Sequence, residues 1–299
     1  MKEDYEKIKK TVKWLKEEYN FRGPLHFTDF SNLQSIISIG YLLSRSLCNA
    51  NNMEFYDCLE KNSVNLSSIV NGCTRFYYVE KNNDLIKKLN IPVYLLFHKD
   101  IIYLDLSMYT DGKPELPTTN YGTDFNFFNY EIDWEGVFNK KSINELYFGP
   151  IKEAIMSKKQ SELLVDEPVP LNQLKNIIFR CNADYKRACN LFGKNKMFLV
   201  EPHMFDFYNN YIEDYSIIYN GSIDLSVFIL HFSTKEPVKN GQNHEYRLYD
   251  LNDNLMSTVK VSFLESNNTD FHLEVQVPSV PVKFKLWFNG VLCIEEIIG

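Results

Sequence analysis

The sequence predicts an α+β chain of two parts, a mixed sheet with helices followed by a small all-β sandwich. Up to about residue 205, helix-like and strand-like runs alternate; beyond it, short alternating strands recur between Asn-Gly and Asn-rich turns. The charge divides at the same place. Through Pro202, 26 Lys and Arg balance 26 Asp and Glu, whereas the remainder carries 6 against 13, so the whole net charge of -7 lies in the last third. A chain of 299 residues holds two domains of ordinary size, here expected at 1–205 and 206–299.

Each element of the first part follows from a local pattern. Residues 3–19 set Ile8, Val12, Trp14, Leu15 and Tyr19 at helical spacing among Lys and Glu, a helix that Arg22-Gly23-Pro24 ends. Leu25-His26-Phe27-Thr28 is a short strand. Asp29 or Ser31 caps the next helix, with Leu33, Ile36, Ile37 and Ile39 as its apolar face and Gly40 as its stop. Tyr41 to Arg45 resumes as a strand. The polar, Asn-rich residues 46–72 form a long connection of the kind used for lids and binding loops. Thr74–Val79, Ile91–Phe97 and Ile101–Leu104 are strands, with a short helix over Asn83–Leu89. Residues 109–130 form a loop around Asp111-Gly112, Pro114 and Pro117. Ser157–Val165 then carries a basic, polar run into an apolar strand, with Glu162 where the strand starts. A helix-like piece follows over Leu171–Lys175, then a strand at Ile177–Arg180 and a helix over Ala183–Phe192.

In the second part, strands at 216–218, 226–231, 245–249, 258–263, 271–277 and 282–288 are separated by turns such as Asn240-Gly241 and Asn289-Gly290. Their spacing is that of an antiparallel sandwich. An acidic sandwich is a poor surface for nucleic acid and a better one for protein recognition or sensing. His231, His244 and His272 are too scattered to form a metal site.

Several function classes are excluded. No apolar run reaches the roughly 18 residues of a membrane-spanning helix, and the N-terminus lacks the apolar core of a signal peptide. The six cysteines form no CxxC pair and read as reduced thiols of a cytoplasmic protein.

Taken alone, Glu162 is an ordinary solvated strand end. The ordered set around it changes that. His26-Phe27-Thr28 precedes Asn32-Leu33 and Gly40-Tyr41-Leu42-Leu43, then Arg75-Phe76-Tyr77-Tyr78, Asp111-Gly112, and Gln160-Ser161-Glu162-Leu163-Leu164-Val165. Over residues 25–195 this order resembles the DarT family, bacterial toxins that ADP-ribosylate bases in single-stranded DNA. The Thr-Arg-Phe-Tyr strand, the Asp-Gly loop and the Ile177–Leu191 region are most similar to the guanosine-modifying branch. The chain departs from that branch at 79–83, which lacks proline, and at Lys159, where the family has arginine.

The resemblance implies an ADP-ribosyltransferase-like mixed sheet and NAD+ as co-substrate, without a metal. It makes Glu162 and Arg75 catalytic: Glu162 stabilises positive charge on the ribose C1′ and orients the acceptor nitrogen, and Arg75 grips a phosphate. It places His26, Phe27, Thr28, Ser35, Leu43, Tyr77 and Tyr78 on the cofactor, with His26 on the adenosine-side ribose, the Phe27 backbone on the nicotinamide amide, and Tyr77 and Tyr78 stacking on nicotinamide. Single-stranded DNA would meet the aromatic loop Asn120–Tyr130, with Lys140 and Lys141 or Lys158 and Lys159 near phosphates. The implied partners are an antitoxin hydrolase of macrodomain or NADAR type and a phage or host protein at the sandwich. Each residue also has a plainer role: His26 a core histidine, Tyr77 and Tyr78 strand aromatics, Arg75 a surface residue. An RNA or protein acceptor, and a degenerate scaffold that binds without turnover, remain open alternatives.

Overall fold

Helix α1 (Tyr5–Tyr19) turns Ile8, Val12 and Leu15 inward, as the apolar spacing requires, in the computed structural model of this protein. Trp14 lies outside that stripe and stays exposed. The helix ends on Asn20 in the left-handed region (φ 55°), two residues ahead of the expected Arg22-Gly23-Pro24 stop. The structure describes residues 4–56, 68–80, 88–138, 156–205, 210–222, 225–277 and 281–298. It divides into two units, Met1–Ile177 and Ile178–Gly299.

In the first unit, β1 (Leu25–Asp29) leads through a 3-10 turn into α2 (Leu33–Ile39). Asp29 caps this turn through Oδ1, at 3.0 Å from the Ser31 N–H, while its Oδ2 accepts from the Asn90 and Ile91 N–H groups at 2.8 and 3.1 Å. One buried carboxylate thus fixes both the helix start and the approach to a neighbouring strand. Gly40, at φ 78°, stops α2. Of the expected apolar face only Leu33 is buried. The strand β2 is confined to Tyr41–Leu42, because Ser44 caps a further helix, α3 (Arg45–Ala50). Then come α4 (Ser68–Gly72), β3 (Thr74–Tyr77) and the wholly buried β4 (Pro92–Phe97). Gly23, at φ 139°, lets the chain run against β4: a Cβ there would lie 2.1 Å from the Phe97 carbonyl oxygen.

Of residues 101–104, expected as a strand, 101–103 belong instead to a 3-10 helix over Lys99–Tyr103 and Leu104 follows it. The Ser107 and Tyr109 hydroxyls take the Ile101 and Ile102 carbonyls at 2.7 and 2.8 Å, occupying acceptors that a strand would have used. The stretch expected as one loop contains β5 (Ser107–Thr110), β6 (Tyr121–Gly122) and a π-helical turn, Phe127–Glu131. After α5 (Trp134–Phe138) come β7 (Glu162–Val165), β8 (Val169–Pro170) and β9 (Leu174–Phe179). Leu171–Gln173 forms only a 3-10 turn before β9, so the expected helical piece is a single turn. Residues 83–87 of the expected helix, and Lys140 and Lys141, lie outside the described residues. The strands run side by side in the order β9-β4-β1-β3-β7-β5-β6. β1 pairs antiparallel with β3 and β4, and β7 with β3 and β5.

The second unit carries α6 (Asn182–Phe192), β10 (Phe198–Val200), β11 (Ile212–Ser222), β12 (Leu225–Thr234), β13 (Asn243–Tyr249), β14 (Leu255–Ser262), β15 (Asp270–Val277), β16 (Val282–Phe288) and β17 (Val291–Ile298). Two antiparallel sheets, β11-β12-β15 and β14-β13-β16-β17, enclose a core in which the Phe228 and Phe284 rings meet edge to face at 5.2 Å. Asn289 (φ 50°) and Gly290 (φ 80°) make the tight turn between β16 and β17, the hairpin that an Asn-Gly pair encodes. Helix α6 packs on this unit: Lys186 Nζ lies 2.6 Å from Asp214 Oδ1, and Arg187 Nη1 donates to the Leu292 carbonyl at 2.7 Å.

His244 on β13 is buried against the rings of Phe232 and Phe263, and neither ring nitrogen has a hydrogen-bond partner among the described residues. Burial holds its pKa below the ordinary 6.5. The unfolded chain therefore binds a proton that the folded unit does not, so stability is complete above about pH 6.5 and declines as pH falls below it. We expect His244→Phe to raise the thermal midpoint and to flatten its fall between pH 7.5 and 5.5. An equal pH dependence in the variant would assign the effect to other groups.

Candidate active site

Glu162 opens β7 and is fully buried. Its N–H donates to Thr110 Oγ1 at 2.8 Å, and the Thr110 hydroxyl donates in turn to the Gly112 carbonyl at 2.7 Å. Thr110 thereby ties the start of β7 to the Asp111-Gly112 turn. Across the ladder, Tyr77 stands opposite Glu162 and Arg75 opposite Leu164. Arg75 therefore reaches Glu162 along the diagonal of one sheet face. The guanidinium forks onto the carboxylate, Nε to Oε2 at 2.7 Å and Nη2 to Oε1 at 2.8 Å. Its remaining nitrogen, Nη1, lies 2.7 Å from Oε1 of Glu115. Burial opposes the charge on Arg75, but Glu162, with Tyr77 and Glu115, holds its pKa well above the ordinary value. Arg75 is therefore cationic at any physiological pH.

His26 on β1 bonds the Arg75 carbonyl through Nδ1 at 2.9 Å. Burial, reinforced by the Arg75 charge and opposed by that hydrogen bond, brings its pKa down to about 4. The ring is neutral, and with Nδ1–H donating, Nε2 is an acceptor. The Phe27 ring stacks on Tyr77 at 5.2 Å between centroids. Thr28 Oγ1 accepts from Asn32 Nδ2 at 2.9 Å, and Asn32 also brackets the Tyr56 backbone, accepting from its N–H at 2.7 Å and donating to its carbonyl at 3.0 Å.

Beside these groups lies a cavity with a void of about 1150 Å³ that includes open solvent. His26, Phe27, Thr28, Ser35, Leu43, Arg75 and Tyr77, all expected on the cofactor or in catalysis, line it. Glu162 lies behind Arg75, not on the cavity wall. Tyr78 departs from expectation. Strand alternation turns it to the opposite side of β3 from Tyr77, where its ring packs on Trp134 at 4.9 Å and Phe128 at 6.4 Å. It is a core residue and cannot stack on a ligand in this cavity. The aromatic loop is also divided: Phe128 is buried, whereas Tyr130 is 70% exposed. Lys158 pairs with Asp133 at 3.6 Å, and burial lowers the pKa of Lys159. Three contributors escaped the sequence reasoning as site residues. Asn32 and Thr110 act through hydrogen bonds to backbone that no spacing displays, and Glu115 sits between prolines in what read as a plain loop. Among the described residues, no cluster of three metal-ligating side chains occurs.

Residues 25–206 match the family described as ssDNA thymidine ADP-ribosyltransferase, DarT. The chain belongs to the DarT family. This match spans His26, Arg75, Glu115 and Glu162. Thermosipho africanus DarTG in complex with ADP-ribose superposes with a TM-score of 0.50 at 15% identity, over 62% of this chain and 51% of that one. Thermus sp. 2.9 DarT aligns in complex with NAD+ (TM-score 0.47, 14% identity, 60% of this chain and 96% of that one) and with ADP-ribosylated ssDNA (TM-score 0.47, 12% identity, 62% and 96%). No curated protein matches the chain.

Proposed function

We propose that this DarT-family chain is an NAD+-dependent mono-ADP-ribosyltransferase that modifies a base in single-stranded DNA, guanine in preference to thymine. The observation that carries the reading is the Arg75–Glu162 fork, whose guanidinium lies on the wall of a cavity that a neutral His26 also lines. The cavity joins charged, polar and aromatic side chains on one wall, the mix a nucleotide ligand needs. Arg75 suits the phosphates, since its fork matches oxyanions as it matches the carboxylate. His26 Nε2 accepts from a ribose hydroxyl, and the Phe27–Tyr77 stack offers a flat apolar wall for nicotinamide.

Arg75 covers Glu162. In this mechanism the phosphates compete for the guanidinium and draw it off the carboxylate. The negative charge of Glu162 then faces the ribose C1′ as the nicotinamide bond breaks, and the same oxygen accepts the proton of the attacking base nitrogen. A paired, stacked base cannot reach such a buried carboxylate, which accounts for the single-stranded substrate. We assign the transferase to residues 1–205 and an accessory recognition role to the sandwich, 206–299, toward a phage or host protein. The biological role consistent with this chemistry is a cytoplasmic toxin of a toxin–antitoxin or antiviral system, reversed by an antitoxin hydrolase of macrodomain or NADAR type. No described helix is long and apolar enough to cross a membrane.

The test is mass spectrometry of single-stranded oligonucleotides incubated with the protein and NAD+. We expect one ADP-ribose added per modified base. NAD+ consumed without any DNA adduct would move the acceptor to RNA, protein or water, and no consumption at all would overturn the enzymatic reading.

A further inference from the structure

Glu115 is the second carboxylate on Arg75, and one of its oxygens is unexplained. Oε1 lies 2.7 Å from Arg75 Nη1, whereas Oε2 is buried without a hydrogen-bond partner among the described residues. A buried acceptor without a donor is costly and rare in a folded protein. The surrounding loop is firmly held. Thr119 Oγ1 donates to the Lys113 carbonyl at 2.6 Å, the Tyr121 hydroxyl to the Pro114 carbonyl at 2.6 Å, and Asn120 bonds Asp111 twice at 2.8 Å. The Glu115 carboxylate therefore stands one guanidinium's width from Glu162, behind Arg75 as Glu162 is, with one oxygen that has no donor among the described residues.

We propose that Glu115 is a specificity-determining residue that takes an N–H of the acceptor base and selects an exocyclic amino group. The inference rests on the transferase reading given above. An amino group carries two N–H bonds. As the nitrogen lone pair forms the bond to C1′, the C1′–nicotinamide bond breaks and its electron pair leaves with neutral nicotinamide. One amino proton passes to Glu162, and the other N–H remains on the nitrogen and donates to Glu115. Both carboxylates are used once Arg75 has turned to the phosphates. Guanine adds a further ring N–H beside its amino group on the same edge. Thymine offers a single imide N–H flanked by two carbonyl oxygens, and a second carboxylate repels those oxygens.

The test is a competition read by mass spectrometry. The full chain and NAD+ are incubated with four distinguishable single-stranded oligonucleotides, each bearing one dG, dA, dC or dT in an abasic spacer backbone. The wild type should favour dG over dT, and Glu115→Gln should lower the dG:dT adduct ratio by about tenfold or more, the effect of losing a hydrogen bond to a charged acceptor. Glu115→Asp should retain part of the preference. A ratio is insensitive to how much enzyme is folded. An unchanged ratio with a slower reaction would reduce Glu115 to holding Arg75 and overturn the proposal, as would a wild-type preference for dT. Where a variant makes too little adduct to score, fluorescence anisotropy of the same oligonucleotides gives the binding ratio, judged by the same criterion. Wild-type protein that modifies no DNA at all fails the transferase reading itself, a different result from a lost or absent base preference.

Discussion

Glu162→Gln is expected to lower the rate of ADP-ribose transfer by about three orders of magnitude, the combined scale of losing a proton acceptor and a charge aimed at the transition state. The amide keeps the shape of the carboxylate and still offers one oxygen to the Arg75 fork, now held at 2.7 and 2.8 Å. Glu115 continues to neutralise the guanidinium from the other side. Folding should therefore change little in this variant. Glu162→Ala is a poorer probe, since it leaves two N–H groups of a largely buried guanidinium without their acceptors, a loss worth about 3–5 kcal/mol. Transfer rates and thermal midpoints of the two variants, measured together, separate chemistry from stability. A Gln variant that retains more than about a tenth of the wild-type rate, well above the loss seen for such groups, would remove Glu162 from the catalytic role.

How much of this site could be read from the chain depends on what holds each residue. His26-Phe27-Thr28, Arg75 and Glu162 were legible because each sits in a strand whose type is set by its own apolar and β-branched neighbours, and their order along the chain follows a family pattern. The DarT assignment and the α+β fold rest on the same feature. Tyr78 was misplaced because adjacency in sequence was taken for adjacency in space; a period of two sends it into the core beside Trp134. The strand expected over Ile101–Leu104 failed because the Ser107 and Tyr109 hydroxyls, six and seven residues on, capture its carbonyls, a contact that apolar patterning does not display. Glu115 was invisible for a related reason. Its significance lies wholly in a contact with Arg75, which is forty positions away in sequence and joined to it only by the folded sheet. In the second unit Asn289-Gly290 announced its hairpin directly, since two adjacent residues in left-handed geometry demand such a pair, whereas Asn240-Gly241 joins strands of different sheets.

Asp184→Ala should destabilise the second unit by about 3–5 kcal/mol, the cost of leaving a buried arginine without its carboxylate. Arg180 and Asp184 are 3% and 1% exposed, and the guanidinium bonds the carboxylate from Nε at 2.7 Å while its plane sits 4.4 Å over the Tyr211 ring. Burial disfavours the charge on Arg180, but Asp184 more than compensates and raises its pKa above the ordinary value. In the Ala variant that compensation is gone and burial remains. The thermal midpoint should fall by at least about 10 °C. The informative companion is the double variant Arg180→Met/Asp184→Leu, which removes both charges and keeps the volume; it should recover most of the loss, since a well-packed apolar pair often equals or exceeds a buried ion pair. If the double variant is as unstable as the single one, the pair does more than neutralise itself, and its hydrogen bonds or the Arg180–Tyr211 contact organise the start of α6. Calorimetry of the three proteins distinguishes these outcomes, and transfer activity measured alongside shows whether chemistry at Glu162 depends on the integrity of the second unit.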